Sequence, residues 1–338
     1  MVSLKDIAQK CGVSTATVSK ALNGQPDIGQ ETRKRITDIA DELGYFANSA
    51  ARALKTNRTY NLGVLFMDEG SRGLTHEYFA AVLNSFKTTA ESRGYDITFI
   101  SNCNIGNRVT SFLEHCRYRG VDGLLIACVD FESPQVKEII SSGLPVVTLD
   151  HIYEGKTSIL SDNAEGTEAL VKFAYSKGHR KIAFIHGENN VFVTKRRMDG
   201  FRNAACELGL SLPEEYIMQA RYYQPEKCLE EVKKLLALED RPTCILMPDD
   251  FSLMGGVYAI REAGFQIPED ISVIGYDGIV LAEVTNPRIT TYKQDTAQLG
   301  TVAAQTLIRL IEDPEAVQGN HATVCGRIIE GESVSDLR

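Results

Sequence analysis

The chain has 338 residues, too many for one ordinary domain at ~150 residues each. Hydrophobic residues at 43% and charged residues at 24% exclude a disordered or collagen-like chain. The formal net charge of −9 counts, as an average, against a nucleic-acid binder. Residues 1–60, however, hold nine Lys/Arg against six Asp/Glu, a net of +3, which leaves −12 on the other 278 residues. A short basic head on a long acidic body implies two partners of different kinds. The eight cysteines include no Cys-x-x-Cys pair, and several sit in apolar runs such as Gly123–Cys128, so they read as reduced core residues. The first residues lack the apolar stretch of a signal peptide, and no run approaches the ~18 apolar residues of a membrane span. The expected location is therefore the cytoplasm, with no membrane partner.

In chain order, Leu4, Ile7, Ala8 and Cys11 fall on one face of a short helix that ends at Gly12, where a tight turn needs a residue without a Cβ. Ser14 is an N-cap for a second helix with Val18, Ala21 and Leu22 on its inner face. Two short helices joined by a Gly turn predict a helix-turn-helix; an ordinary helical hairpin would share the periodicity but not the fixed spacing of Ala8, Gly12 and Val18. The outer face of the second helix carries Thr15, Ala16, Thr17, Ser19 and Lys20, small and polar enough to enter a DNA major groove. There Lys20 would reach guanine acceptors, Ala16 or a Thr methyl would touch thymine, and the hydroxyls would meet phosphates. A third helix over 31–43, with Ile36, Ile39, Ala40 and Leu43 inward, closes the core. Arg33, Lys34 and Arg35 lie outside it as phosphate partners or as solubilising charge.

From Asn61 onward short apolar runs alternate with amphipathic segments. The runs are Leu62–Phe66, Ile97–Ile100, Gly123–Cys128, Pro145–Leu149, Ile182–Ile185, Cys244–Met247 and Ile271–Gly275. Helices are expected over Tyr78–Arg93, Ala164–Lys177, Lys195–Leu208, Ser252–Ala263 and Thr296–Ile311. Continuous Val/Ile/Leu runs separated by helices predict parallel sheets covered on both faces. Two series of strands predict two lobes with a ligand cleft between them. Ligands in such sheets meet the carboxyl ends of strands, and these carry Asp68, Asp150, Asp249, Asp250 and Asp277. A single carboxylate there is as often a helix cap, so the repetition carries the argument.

The segments KDIAQKCGVSTATVSKALNG, ETRKRI, ELGY and SAARALKTNRT resemble the lac repressor (LacI/GalR) family of bacterial transcription regulators, and RRMDGF, PDD, VIGYD and ITTYKQD resemble its effector-domain motifs. The resemblance implies an α/β chain: a helix-turn-helix head over 1–46, a hinge helix and linker over 47–59, and a periplasmic-binding-protein-like body over 60–338. The body would comprise an N-lobe of about 60–162 and 293–322 and a C-lobe of about 163–292 and 323–338. It also implies DNA contacts from Thr15, Ala16, Thr17, Ser19, Lys20, Asn23, Leu54 and Lys55. Asn48–Lys55 would form a hinge helix that orders on operator, with Leu54 wedged into the minor groove and Ala50, Ala51 and Ala53 packing against a second copy. Effector contacts are implied for Tyr78, Phe79, Asp150, Arg197, Tyr222, Asp249 and Asp277, with Tyr223 in the same segment as Tyr222. Asp250 would cap the helix that begins near Ser252. The sequence departs from the family pattern at Ala47, where Pro is frequent, and at the acidic Asp27.

The implied function is a homodimeric, effector-controlled repressor on a pseudopalindromic operator. An Arg fork, carboxylates and aromatic rings suit a polyhydroxylated ligand, a sugar by preference, while a nucleobase could stack on Tyr78 or Phe79. No Walker loop, G-x-G-x-x-G, G-x-S-x-G or H-E-x-x-H is present and the six histidines are scattered, so no catalytic residue, cofactor or metal is expected. Two rivals share parts of this pattern. A solute-binding protein of a transporter has the same two-lobed body but no basic head, and a carbohydrate-modifying enzyme would need Asp249 and Asp250 as its acid-base pair.

Overall fold

The computed structural model describes residues 2–45, 58–67, 73–106, 108–189, 191–313, 315 and 319–338. Expectations for Ala47, for Asn48–Lys55 with its Leu54 and Lys55, and for Asp68 fall outside these residues. The chain divides into two compact units, Met1–Thr59 and Tyr60–Arg338.

In the first unit, helices span Leu4–Cys11, Thr15–Leu22 and Gln30–Glu42. Ser3 and Asp6 form a capping box at the first, and Gly12 closes it at φ 67°, a left-handed conformation that a side chain would strain. Ser14 caps the second by accepting from Thr17 N at 3.1 Å. Ile7, Ala8, Cys11, Val18, Ala21, Ile36 and Ala40 are buried together, so the small Ala8, Ala21 and Ala40 let three short helices close on one apolar centre. Arg33 and Arg35 turn back onto the fold, donating to the carbonyls of Gln25 at 2.6 Å and Cys11 at 3.2 Å. Neither of the two roles expected for them, phosphate partner or solvated charge, anticipated that.

The second unit contains two six-stranded sheets. One runs from edge to edge as His321–Val324, Thr157–Ser161, Val146–Leu149, Gly123–Ala127, Asn61–Phe66 and Asp96–Ile100, with every pair parallel. The other runs as Arg327–Ile329, Thr290–Lys293, Ser272–Asp277, Cys244–Leu246, Ile182–His186 and Ile217–Gln219, parallel except for its first strand. Alternate residues feed separate cores on the two faces. Leu62, Val64, Leu125 and Val147 pack on one side with Val82, Phe86 and Leu307, and Leu65, Leu124, Ile126 and Val146 on the other with Phe112 and Val136. The second sheet divides likewise, Ile185, Ile245 and Val273 from Phe184, Leu246 and Ile274. Among the described residues no helix is long and apolar enough to cross a membrane.

The chain passes between the lobes three times. Ser161 ends a strand of the first sheet and Asn163 starts the helix Asn163–Ser176; Lys293 ends a strand of the second and Thr296 starts the helix Thr296–Glu312; Val324 ends a strand of the first and Arg327 begins one of the second. Strand pairing keeps Lys293, opposite Asp277, in the second sheet and Val324, opposite Ser161, in the first.

Candidate effector cleft and DNA-reading face

The cleft is built from strand ends. Asp150 follows Val146–Leu149 at φ 52°, and Asp277 closes Ser272–Asp277 at φ 99°. Tyr223 sits at φ 57°. Such left-handed backbone at residues with a Cβ costs of order 1–3 kcal/mol each and persists where surrounding bonds over-determine it. Those bonds are present. Asp150 Oδ1 accepts from Ser161 N at 2.6 Å, Asp277 Oδ1 from Gln294 Nε2 at 2.7 Å, and Tyr223 N donates to Asp249 Oδ2 at 2.9 Å.

These groups close into a polar ring. Arg197 lies on the buried face of Phe192–Glu207, 5% exposed; its Nε donates to Asn163 Oδ1 and its Nη1 to Pro248 O, both at 2.8 Å. Its guanidinium carbon stands 3.5 Å above the Tyr276 ring and 5.5 Å from that of Tyr222. Asn163 Nδ2 reaches Asp150 Oδ1 at 3.4 Å, Tyr78 Oη lies 3.5 Å from Asp150 Oδ2 and 3.4 Å from Gln294 Oε1, and Ser161 Oγ also donates to Gln294 Oε1. Arg197 Nη2 completes the circuit 3.7 Å from Asp277 Oδ1. Within the ring the Arg197–Asn163 and Gln294–Asp277 bonds are 2.8 and 2.7 Å long, whereas the contacts of Asp150 with Tyr78 and Asn163, of Tyr78 with Gln294 and of Arg197 with Asp277 are 3.4–3.7 Å. The ring is tight on two of its sides and slack at the contacts of Asp150 and Tyr78 and between Arg197 and Asp277, where ligand hydroxyls can substitute.

Burial pushes the carboxyls of Asp150 and Asp277 up to about 6, against the opposing pull of Arg197. Burial also disfavours the Arg197 charge, but Tyr222, Tyr276 and Asp277 outweigh it and keep the guanidinium protonated. Asp249 is raised by burial as well, although it accepts from Ser252 N and Ser252 Oγ at 2.7 Å in addition to Tyr223 N.

The expectation that Asp250 caps the helix near Ser252 is corrected here. Asp249 accepts the Ser252 N–H, while Asp250 turns the other way to accept from Gly278 N at 2.7 Å, Ile279 N at 3.0 Å and Thr291 Oγ1 at 2.7 Å. The two adjacent carboxylates, in the loop that follows Cys244–Leu246, thus serve different turns. Asp250 remains structural, and it holds the turn that follows Asp277.

Of the residues expected in the cleft, Tyr78, Asp150, Arg197 and Asp277 join the ring directly. Tyr222 bonds Thr194 through its hydroxyl at 3.0 Å. Phe79 packs with Phe66, His76 and Tyr78 at centroid distances of 5.3, 4.8 and 5.0 Å, as part of the N-lobe aromatic cluster. Sequence reasoning missed Ser161, Asn163 and Gln294, polar residues at lobe crossings. Only the position of Gln294 inside ITTYKQD signalled it. The lobes also touch directly: His76 stacks on Tyr223 at 3.6 Å, Glu77 N donates to Tyr223 Oη at 3.0 Å, and Val280 N donates to Glu77 Oε1 at 2.8 Å.

In the head, Thr15, Ala16, Lys20 and Asn23 are exposed, and Thr17 and Ser19 are half-buried. Thr17 Oγ1 pairs with Ser14 Oγ at 2.9 Å, and Asn23 Nδ2 donates to Ser19 O at 2.5 Å. Lys20 Nζ meets Asp27 Oδ2 at 2.5 Å in an exposed pair, which lowers the Asp27 carboxyl. An exposed pair of this kind is worth ~0–1 kcal/mol, little enough for Lys20 to exchange it for a DNA acceptor.

Comparison with known proteins agrees with both halves of this description. Residues 3–48 match the profile of the bacterial regulatory proteins of the lacI family, and residues 171–334 that of a periplasmic binding protein-like domain. The HTH-type transcriptional repressor PurR of Pasteurella multocida is 31% identical over 316 residues, 93% of each chain. "Probable HTH-type transcriptional repressor ExuR" of Bacillus subtilis is 30% identical over 318 residues, again 93% of each. Among solved structures, the lac repressor dimer bound to operator and the anti-inducer ONPF superposes with a TM-score of 0.80 at 23% identity over 99% of each chain. A complex of the regulator CelR with cellobiose gives 0.71 at 22% identity, covering 98% of this chain and all of that one. A helix-turn-helix head, a body of two parallel-sheet lobes and full-length relatives that are repressors lead to one assignment: the chain belongs to the lacI family of bacterial regulatory proteins.

Proposed function

We propose that this chain is a sequence-specific, homodimeric transcription repressor that binds a pseudopalindromic operator through its heads and senses a sugar in the cleft. The observation that carries the sensing role is the polar ring of Tyr78, Asp150, Asn163, Arg197, Asp277 and Gln294, whose slack contacts at Asp150, Tyr78 and Arg197 offer acceptors and a cationic donor to vicinal hydroxyls. A relative in fold is a complex with cellobiose and another has bound ribose, which supports a sugar. Tyr222 walls the cleft in this reading. Asp249 takes part mainly by holding Tyr223.

On the DNA side, Thr15, Ala16, Lys20 and Asn23 present the face that would read bases, with Thr17 and Ser19 meeting phosphates. Following the family resemblance, Leu54 and Lys55 act at the operator centre. Two heads on one operator multiply a modest single-head affinity through effective concentration. Effector and operator are linked reciprocally, so a ligand that weakens operator binding must itself bind less tightly when operator is present. A thermal-shift screen of sugars and nucleobases, followed by operator release with the best binder, tests the reading. A sugar that shifts the melting temperature and alters operator affinity in the wild type, and does neither in Arg197→Ala, is the expected result. Binding of nucleobases alone would refute the sugar assignment, and a normal response in Arg197→Ala would refute the cleft.

A further inference from the structure

The charges around the ring do not balance. Asp249 and Asp277 are only 2% and 7% exposed, Asp150 is half-buried, and Asp250, 1% exposed, is pushed towards its neutral form by burial and by the nearby Asp277. Asp249 and Asp250 receive all their described bonds from neutral donors: the N–H groups of Tyr223, Ser252, Gly278 and Ile279 and the hydroxyls of Ser252 and Thr291. Neutral donors solvate a carboxylate without cancelling its charge. Among the described residues of the ring the one cation is Arg197, and two of its three nitrogens are spent on the neutral oxygens of Asn163 and Pro248. What remains, Nη2, faces Asp277 at 3.7 Å. His151, next to Asp150 in the chain and stacked on Phe131, is driven towards its neutral form by burial and supplies no compensating charge.

The open edges of the ring are thus two carboxylates, one tyrosine hydroxyl and one guanidinium nitrogen already shared with a carboxylate. A hydroxyl both donates and accepts, so a polyol satisfies every one of them. An ammonium adds a charge of the sign the site lacks. A carboxylate or phosphate can only accept; it would serve Tyr78 and Arg197 while standing against Asp150 and Asp277 in a low-dielectric space. We infer that the cleft selects against negative charge, taking a neutral polyhydroxylated ligand or its amino counterpart and rejecting uronates and sugar phosphates. The inference rests on the sensing role proposed above for the same cleft.

Two measurements on the full chain at pH 7.5 test it. The first is calorimetric titration with matched sets: glucose, glucosamine, glucuronate and glucose 6-phosphate; galactose and galacturonate; ribose and ribose 5-phosphate. Binders are expected among the neutral and amino members, with the anionic partner of any binder at least tenfold weaker. An anionic member that binds as tightly as its neutral partner overturns the inference and leaves the sugar sensor standing. The second needs no effector: melting with and without inorganic phosphate for the wild type, for Asp150→Asn/Asp277→Asn, and for each of these with Arg197→Ala. The wild type is expected to show no phosphate shift that depends on Arg197, and the double variant to gain one of several degrees that Arg197→Ala removes. An Arg197-dependent shift already present in the wild type, or none in the double variant, overturns the inference. Should nucleobases bind and sugars fail while this second pattern holds, the sugar reading falls and the charge selection survives.

Discussion

Gly200 offers a sharp test of how the arginine is placed, because two effects of opposite sign act at one position. It lies in the helix Phe192–Glu207, one turn beyond Arg197, and a Cβ built there would stand 2.0 Å from the carbonyl oxygen of Ala164, the residue next to Asn163. Ordinary contact begins at 3.4 Å, so Gly200→Ala requires the helices 192–207 and 163–176 to part by about 1.4 Å, and the opposing atom is backbone that cannot rotate aside. Helix propensity alone would make the same substitution stabilising by about 1 kcal/mol. Overpacking of this degree costs roughly 1–3 kcal/mol, so a net loss of about 0–2 kcal/mol is expected. For a body of this size that is a fall of several degrees at most, at ~2–4 °C per kcal/mol. The functional effect is the larger one. The Arg197 Nε to Asn163 Oδ1 bond spans the same helix pair at 2.8 Å, and a separation of about 1 Å breaks it. Losing a charge-assisted bond worth ~1.5–3 kcal/mol should weaken binding of the best sugar by roughly ten- to a hundredfold in calorimetric titration. A higher melting temperature with unchanged affinity would show that Gly200 is merely a weak helix former and that Arg197 is not positioned through this contact.

The raised carboxyls give a pH signature. Asp150 holds its proton up to about pH 6 in the fold against an ordinary value near 3.8, so the native state binds the proton more tightly and its contribution to stability declines as pH rises from about 4 to 6, by about 3 kcal/mol at most. Asp150→Asn removes that slope, so its melting temperature relative to wild type should climb between pH 4.5 and 7; a pH-independent difference contradicts the shift. Polyol binding at pH 6 should release protons as hydroxyls stabilise the charged carboxylates, seen as a buffer-dependent calorimetric heat. Asp250→Ala leaves the donors Gly278 N, Ile279 N and Thr291 Oγ1 unsatisfied, and should destabilise by about 3 kcal/mol or more, measured by urea unfolding. In the head, Asp27→Asn frees Lys20 and removes an anion from the DNA-facing loop. Operator affinity should rise by roughly tenfold or less at low salt, with the gain shrinking as salt increases, whereas Lys20→Ala should lower affinity and change base preference in a randomised library.

Where a residue's role follows from local pattern, the sequence already contained it. The first helix announces itself through Ile7, Ala8, Cys11 and Gly12, and central strands such as Gly123–Ala127 and Ile182–His186 through unbroken apolar runs, because burial on both faces leaves no polar position. The strands Thr157–Ser161, Thr290–Lys293 and His321–Val324 gave no such run. Thr157, Ser158 and Thr290 are buried polar residues, and the hydroxyls of Ser158 and Thr290 are bonded inside the fold, accepting from Thr148 Oγ1 at 2.9 Å and from Gly331 N at 3.0 Å, which a hydropathy pattern cannot see. The division of labour between Asp249 and Asp250 was equally hidden, since it depends on the path of the loop that follows Cys244–Leu246.

Hidden in the same way was the relation between the cleft and the crossings. Ser161 ends the strand before the first passage between lobes, Asn163 opens the helix after it, and Gln294 lies in the second passage. Each is also a ring member: Ser161 and Tyr78 meet at Gln294 Oε1, Gln294 Nε2 holds Asp277, and Asn163 ties Arg197 to Asp150. On the proposed reading, a ligand that takes over the slack contacts of Asp150, Tyr78 and Arg197 would act on residues that flank the passages between the lobes. On the same reading, charge placed in that ring would act on the same residues, so that selectivity for a neutral polyol and control of lobe geometry would follow from one set of hydrogen bonds.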